Sequence, residues 1–170
     1  ISENIIRDVT GDSTPGANAY GVAITRDESA SLTVSPISKN IAVADNVVEN
    51  IPTWHCLDTH GGHGVSFTGN VLRGCLDGIV ATRSVVPIDD DVAPKGIVIE
   101  GNTIESDVAD GSARHGVHIA GVPGGAAGSP IDLAQVSIVG NTITGHGKET
   151  SDQLGAVYLK ATSGAVVQGN

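Results

Sequence analysis

An asparagine flanked by alternating small aliphatic residues recurs six times along the chain, at Asn4, Asn46, Asn70, Asn102, Asn141 and Asn170. The clearest copies span residues 64–72, 96–104 and 136–143, and each reads as a strand of period two, a tight Gly-Asn corner and a second short strand. Asn tolerates the left-handed backbone expected at such a corner, and stacked Asn side chains can hydrogen-bond to one another as a ladder. A third short strand follows in each repeat, at 21–24, 56–59, 78–81, 116–119 and 156–159. Three strands per repeat, variable loops and no helical period describe a coiled parallel solenoid of about five coils.

Composition fits that architecture. Twenty-three glycines suit a chain that turns several times per coil. At 170 residues the chain is one domain, 1–170. No capping element is visible at either end, and methionine is absent, the initiator included. The expectation is an uncapped fragment or processed product, with more coils or other domains on each side.

A formal net charge of −10 argues against nucleic acid or an anionic membrane as partner, since both require a basic face. No apolar run approaches the roughly 18 residues of a spanning helix, and no signal peptide stands at the start. Cys56 and Cys75 are too few for a disulfide framework, and the sequence leaves their pairing open.

The succession of strand, Gly-Asn corner, strand, loop and Gly-Val/Ile strand, from Asn4 to Asn170, resembles the right-handed parallel β-helix of the pectate-lyase-like superfamily. The stretch 55–62, His-Cys-Leu-Asp-Thr-His-Gly-Gly, is also similar to an Asp-Thr-His-Gly segment of tailspike-like β-helices. This resemblance implies an extracellular setting, secreted or on a virion surface, and a polysaccharide as partner. It implies cleavage by glycosidic hydrolysis or β-elimination, and a homotrimer if the chain is of the tailspike kind. The fold also serves non-catalytic glycan binders and structural shafts, which is the alternative expectation.

The asparagines also measure loops. From each Asn to the first inward residue of the third strand (Val22, Leu57, Ile79, Val117, Val157) the steps are 18, 11, 9, 15 and 16 residues. From there to the next Asn they are 24, 13, 23, 24 and 13. Only coil two is short on both sides, so its outward face is expected to floor a groove walled by its neighbours' loops. Coil two also carries Trp54, His55, Asp58, His60 and His63, with the only tryptophan of the chain.

Alternation points Leu57 and Thr59 inward, and Asp58 and His60 outward. Stacking the coils about 4.8 Å apart gives one outward column of Ala23, Asp58, Val80, His118 and Tyr158. A second holds Thr25, His60, Thr82, Ala120 and Lys160, and a third holds Tyr20, His55, Asp77 and His115. The candidate catalytic residues are Asp58 and His60 as an acid-base pair, Asp77 as a second carboxylate and His118 as a base. The candidate sugar contacts are Trp54, His55, Arg26, Arg83 and Tyr158, the two arginines suiting a uronate carboxylate. Each has a plainer alternative: a capped turn for the acids, an exposed sheet face for His118 and Tyr158, a loop acid for each Arg, and a loop plug for Trp54. No cofactor or metal is expected. Calcium at Asp89-Asp90-Asp91 and a transition metal at His55, His60 and His63 are weaker options that no ligand spacing supports.

Overall fold

The computed structural model describes residues 1–11, 18–86, 90–107, 113–124, 130–147 and 155–170. Among them the chain is all-β, with thirteen strands and no helix. One sheet is five-stranded and contains, in spatial order, β13 (Val166–Gln168), β10 (Val136–Val139), β7 (Ile97–Glu100), β5 (His63–Thr68) and β3 (Lys39–Ala44). The other contains β1 (Ile5–Arg7), β4 (Val47–His60), β6 (Val71–Thr82), β8 (Thr103–Glu105) and β11 (Thr142–Thr144). Also within this second sheet, β2 (Tyr20–Ile24) pairs β4, while β9 (His115–Ala120) pairs β6 and β12 (Gly155–Lys160). Every strand pairing is parallel, and each strand pairs with its counterpart in the next repeat, an arrangement compatible with a parallel β-helix.

The sequence pattern explains why the strands stack. Inward residues of successive coils lie on one another: Val43 on Phe67, Ile99 and Ile138 along the first face, and Val48 on Leu72 and Ile104 along the second. On the third face Leu57 lies between Val22 and Ile79, with Val117 beyond. All of these are at most 7% exposed. Burying a side chain of this kind contributes roughly 1.5–3 kcal/mol, so each added coil extends one continuous apolar column. Cys56 and Cys75 are paired as a disulfide, Cα–Cα 5.7 Å, and cross-link coils two and three inside this core.

The asparagine ladder forms along the whole stack. Asn4 Nδ2 donates to Asn46 Oδ1, Asn46 to Asn70, Asn70 to Asn102, Asn102 to Asn141 and Asn141 to Asn170, at 2.8–3.0 Å. Each Oδ1 also accepts the preceding Asn's backbone N–H, as at Asn70 N to Asn102 Oδ1, 2.9 Å. One expectation is corrected. The left-handed residue at the corner is not Asn but the residue before it: Glu3, Asp45, Gly69, Gly101, Gly140 and Gly169 have φ between 55° and 65°. Asn is selected for its side-chain bonds, and its neighbour takes the backbone strain.

In coils two and three the second and third strands run on as single long strands, β4 and β6, which is the short connection that the loop ruler measured. They differ by an insertion. Ile51 pairs Cys75 and His55 pairs Asp77, so Pro52, Thr53 and Trp54 of β4 lie opposite Leu76 alone. This irregularity, directly beside the disulfide, places Trp54 at the edge of the candidate site.

Candidate functional site

The three outward columns form in the expected register. Asp58 pairs Ala23 and Val80, Val80 pairs His118, and His118 pairs Tyr158. His60 pairs Thr82, Thr82 pairs Ala120, and Ala120 pairs Lys160. His55 pairs Tyr20 and Asp77. Rigid parallel strands thus hold imidazoles and carboxylates side by side on one face.

These groups join into a single row. Glu28 Oε1 meets His60 Nδ1 at 3.2 Å, and His60 Nε2 meets Asp58 Oδ2 at 3.3 Å. Asp58 Oδ1 meets His55 Nδ1 at 3.1 Å, and His55 Nε2 meets Asp77 Oδ2 at 3.4 Å. Asp77 Oδ1 meets His115 Nδ1 at 2.7 Å and also accepts the His115 backbone N–H at 3.0 Å. Arg114 Nη2 donates to Asp77 Oδ2. Burial alone would raise the Asp77 pKa, but the His115 hydrogen bond and the charges of Arg114, His55 and His115 hold it below the ordinary carboxylate value.

Beside this row lies an open cleft of about 710 Å³. Its lining includes Glu28, His60, Arg83, Arg114, His115, His118, Tyr158 and Lys160. The His118 ring centre is 4.6 Å from His115 and 5.1 Å from Tyr158. Burial, reinforced by the charge of His115, pushes the His118 pKa down to about 4. Its imidazole is therefore unprotonated at neutral pH and able to accept a proton.

The structure corrects several expectations. The cleft lies over coils three to five rather than on coil two, because the loop between β2 and β3 bends over coil two. Glu28 of that loop reaches His60 and also accepts the Val85 backbone N–H at 3.2 Å. Asp58 and Asp77, expected at the surface, are each 1% exposed and absent from the cleft lining, covered by the imidazoles that flank them. Arg26 does not face the cleft: its guanidinium is buried and donates to the Ser35 carbonyl at 2.6 Å and to the Ala30 carbonyl, pinning its own loop.

Arg83 does line the cleft, where it pairs with Asp91 at 3.4 Å. Trp54 lies outside the lining; its indole stacks on His55 at 4.7 Å, and the Arg114 guanidinium stands 5.2 Å from its ring centre. His55, expected to contact a sugar, is 7% exposed and covered by Trp54 and Tyr20.

Of the two metal options, the histidine set does not come together. His63 opens β5 between Lys39 and Lys95, away from His55 and His60. Asp89 falls outside the described residues, while Asp91 accepts the Val86 backbone N–H and faces Arg83. Among the described residues no group of three or more His, Cys, Asp and Glu side chains is placed to hold a metal ion.

Three residues escaped the sequence reading. Glu28 lies on a loop whose path no periodicity records. His115 was placed in its column but given no role. Arg114 had a usable signal: its backbone N–H bonds to the Leu76 carbonyl, so extending the register one residue before His115 sets it beside Asp77. The site stands on its own geometry, since no protein-family model, curated protein or solved structure matches this chain.

Proposed function

We propose that this chain is a right-handed parallel β-helix of the pectate-lyase-like superfamily that degrades an acidic extracellular polysaccharide by β-elimination in the cleft over coils three to five. The observation that carries the reading is charge. Acidic residues outnumber Lys and Arg by 19 to 9, yet Arg83, Arg114 and Lys160 all line the cleft, the two arginines paired there with Asp91 and Asp77. Basic side chains gathered at one cleft of an anionic chain suit an anionic ligand, whose carboxylate would share the two guanidinium groups with Asp91 and Asp77.

In this reading a uronate carboxylate pairs with Arg83, Arg114 or Lys160, which disperses the charge that develops when the C5 proton leaves. His118, uncharged at neutral pH, takes that proton. The C5–H electron pair becomes the C4=C5 double bond, the C4–O bond breaks, and the departing oxygen takes a proton from His60. Tyr158 forms the wall beside His118. An extracellular setting accords with the Cys56–Cys75 disulfide, because such bonds persist in oxidising compartments.

The test is incubation with uronate-containing polysaccharides while following ultraviolet absorption by an unsaturated product. His118→Ala is expected to lower kcat by about 10²–10⁴-fold, the usual contribution of a general base, with the circular dichroism spectrum unchanged. New reducing ends without the absorbing product would replace elimination by hydrolysis.

One observation favours a second reading, a non-catalytic glycan-binding or structural β-helix. Asp58 and Asp77 are buried beneath the site, so they do not present a bound sugar with the carboxylate pair that glycosidic hydrolysis uses. Binding without turnover by any acidic polysaccharide would select it.

A further inference from the structure

Glu28 brings a carboxylate into the lining of the cleft, and one of its oxygens carries two contacts. Oε1 stands 3.2 Å from His60 Nδ1 and accepts the Val85 backbone N–H, also at 3.2 Å. His60 and Val85 themselves line the cleft. Both flanks of this contact are braced. On one side the Asp27 N–H donates to Ser35 Oγ and Asp27 Oδ1 accepts the Ser29 N–H, each at 3.0 Å, so the residues before and after Glu28 are tied within their own loop. On the other, Ser84 and Val92 exchange both backbone hydrogen bonds and the Val86 N–H donates to Asp91 Oδ1 at 3.1 Å, which fixes the direction of the Val85 N–H between them.

We propose that the Val85 N–H and His60 Nδ1 form an oxyanion site for the oxygen that departs from C4, and that Glu28 fills this site as a tethered occupant until the polysaccharide displaces it. The site rests on the elimination proposed above. An ionised carboxylate accepts hydrogen bonds and donates none, so two donors converge on one negatively charged oxygen where Oε1 sits. Donors aimed at one point in this way are what a departing oxygen needs as its charge develops. The other nitrogen of His60 cannot serve: Nε2 meets Asp58 Oδ2 at 3.3 Å, and Asp58 is 1% exposed and outside the lining. The proton for the departing oxygen therefore comes from Nδ1, the nitrogen that Glu28 covers. As the C4–O bond breaks, its electron pair goes to the oxygen, which takes the Nδ1 proton. His60 keeps its Nε2 proton against Asp58 and is left neutral, while His118 holds the proton from C5. Both imidazoles line the cleft, so His118 releases one proton to water there and His60 takes one up.

The occupant is held loosely enough to leave. The Glu28 side chain is 35% exposed and that of His60 25%, so the pair is partly solvated, and such pairs are weak. A free carboxylate competes with Glu28 at the effective concentration of a tethered group, on the order of millimolar. A site filled about two-thirds of the time by its own carboxylate shows a competitor an apparent dissociation constant about threefold above the intrinsic one.

The site is measurable with acetate, without any polysaccharide. In Glu28→Ala, acetate at constant pH and ionic strength is expected to shift the Val85 amide and the His60 ring signals together in NMR spectra, with one midpoint. In the intact protein the same two signals should move with a midpoint about threefold higher or more. Equal midpoints, or a His60 response without the Val85 amide, would overturn the site. Should the alanine variant lose its folded spectrum, Glu28→Gln, which keeps the size and drops the charge, carries the same comparison. If acetate behaves as expected but no acidic polysaccharide yields an unsaturated product, the two-donor site and its occupant stand and the elimination falls. If the product forms and the acetate midpoints are equal, the elimination stands and the site falls. If both hold, Glu28→Ala should raise kcat/KM about threefold, and a fall in kcat/KM would rule out Glu28 as an occupant that has to leave.

Discussion

His118 shows how one side chain ties stability to acidity. Its pKa lies below the ordinary 6.5, at about 4, because burial and the nearby His115 charge disfavour the imidazolium. The unfolded chain therefore binds this proton more readily than the folded one. Its contribution is complete above pH 6.5 and is lost as the pH falls towards about 4. The urea midpoint is expected to drop through that window, and His118→Asn should flatten the drop; equal slopes in both proteins would refute the assignment. Facing was legible at this scale, cover was not. Alternation correctly put Asp58 on the outer side of its strand, yet a short carboxylate between two larger imidazoles is sealed by them. Period two reports which side of a sheet a residue leaves, and nothing about how tall its neighbours are.

Among the elements, the strands were legible because Asn spacing set the register, and the loops were not, because their paths depend on contacts without period. The loop between β2 and β3 is the case that mattered: long by count, it was expected to stand as a wall, but Arg26 and Glu28 tie it down across coil two. Glycines of strand and corner carry a sharper rule. At Gly78 an added Cβ would lie 2.4 Å from the Gly116 carbonyl oxygen, whereas at Gly101, with φ of 62°, it would meet nothing within 4 Å. Gly101→Ala is expected to cost about 1–2 kcal/mol, the penalty of left-handed backbone. Gly78→Ala must push two coils apart and should cost more. Chemical denaturation of the two variants would reverse this ranking only if the third face can open without loss.

At the scale of the molecule, the strands of each coil pair only with those of the adjacent coils, so stability behaves nearly as a sum of coils and the contacts between them. The Cys56–Cys75 bond spans 19 residues of sequence and joins coils two and three. Closing a loop of that length contributes about 3 kcal/mol in the chain-entropy account. Replacing both cysteines by alanine should lower the unfolding free energy by that order, and an unchanged denaturant midpoint would contradict it. The same bond has a mechanical consequence. In a stack held by neighbours alone, a disturbance entering from either side travels as a peeling front, one winding at a time. A covalent rung halts that front between the winding that carries Asp58 and the one that carries Asp77. Amide exchange should therefore rise in steps away from the rung, leaving the two carboxylates in register while more distant windings open and close.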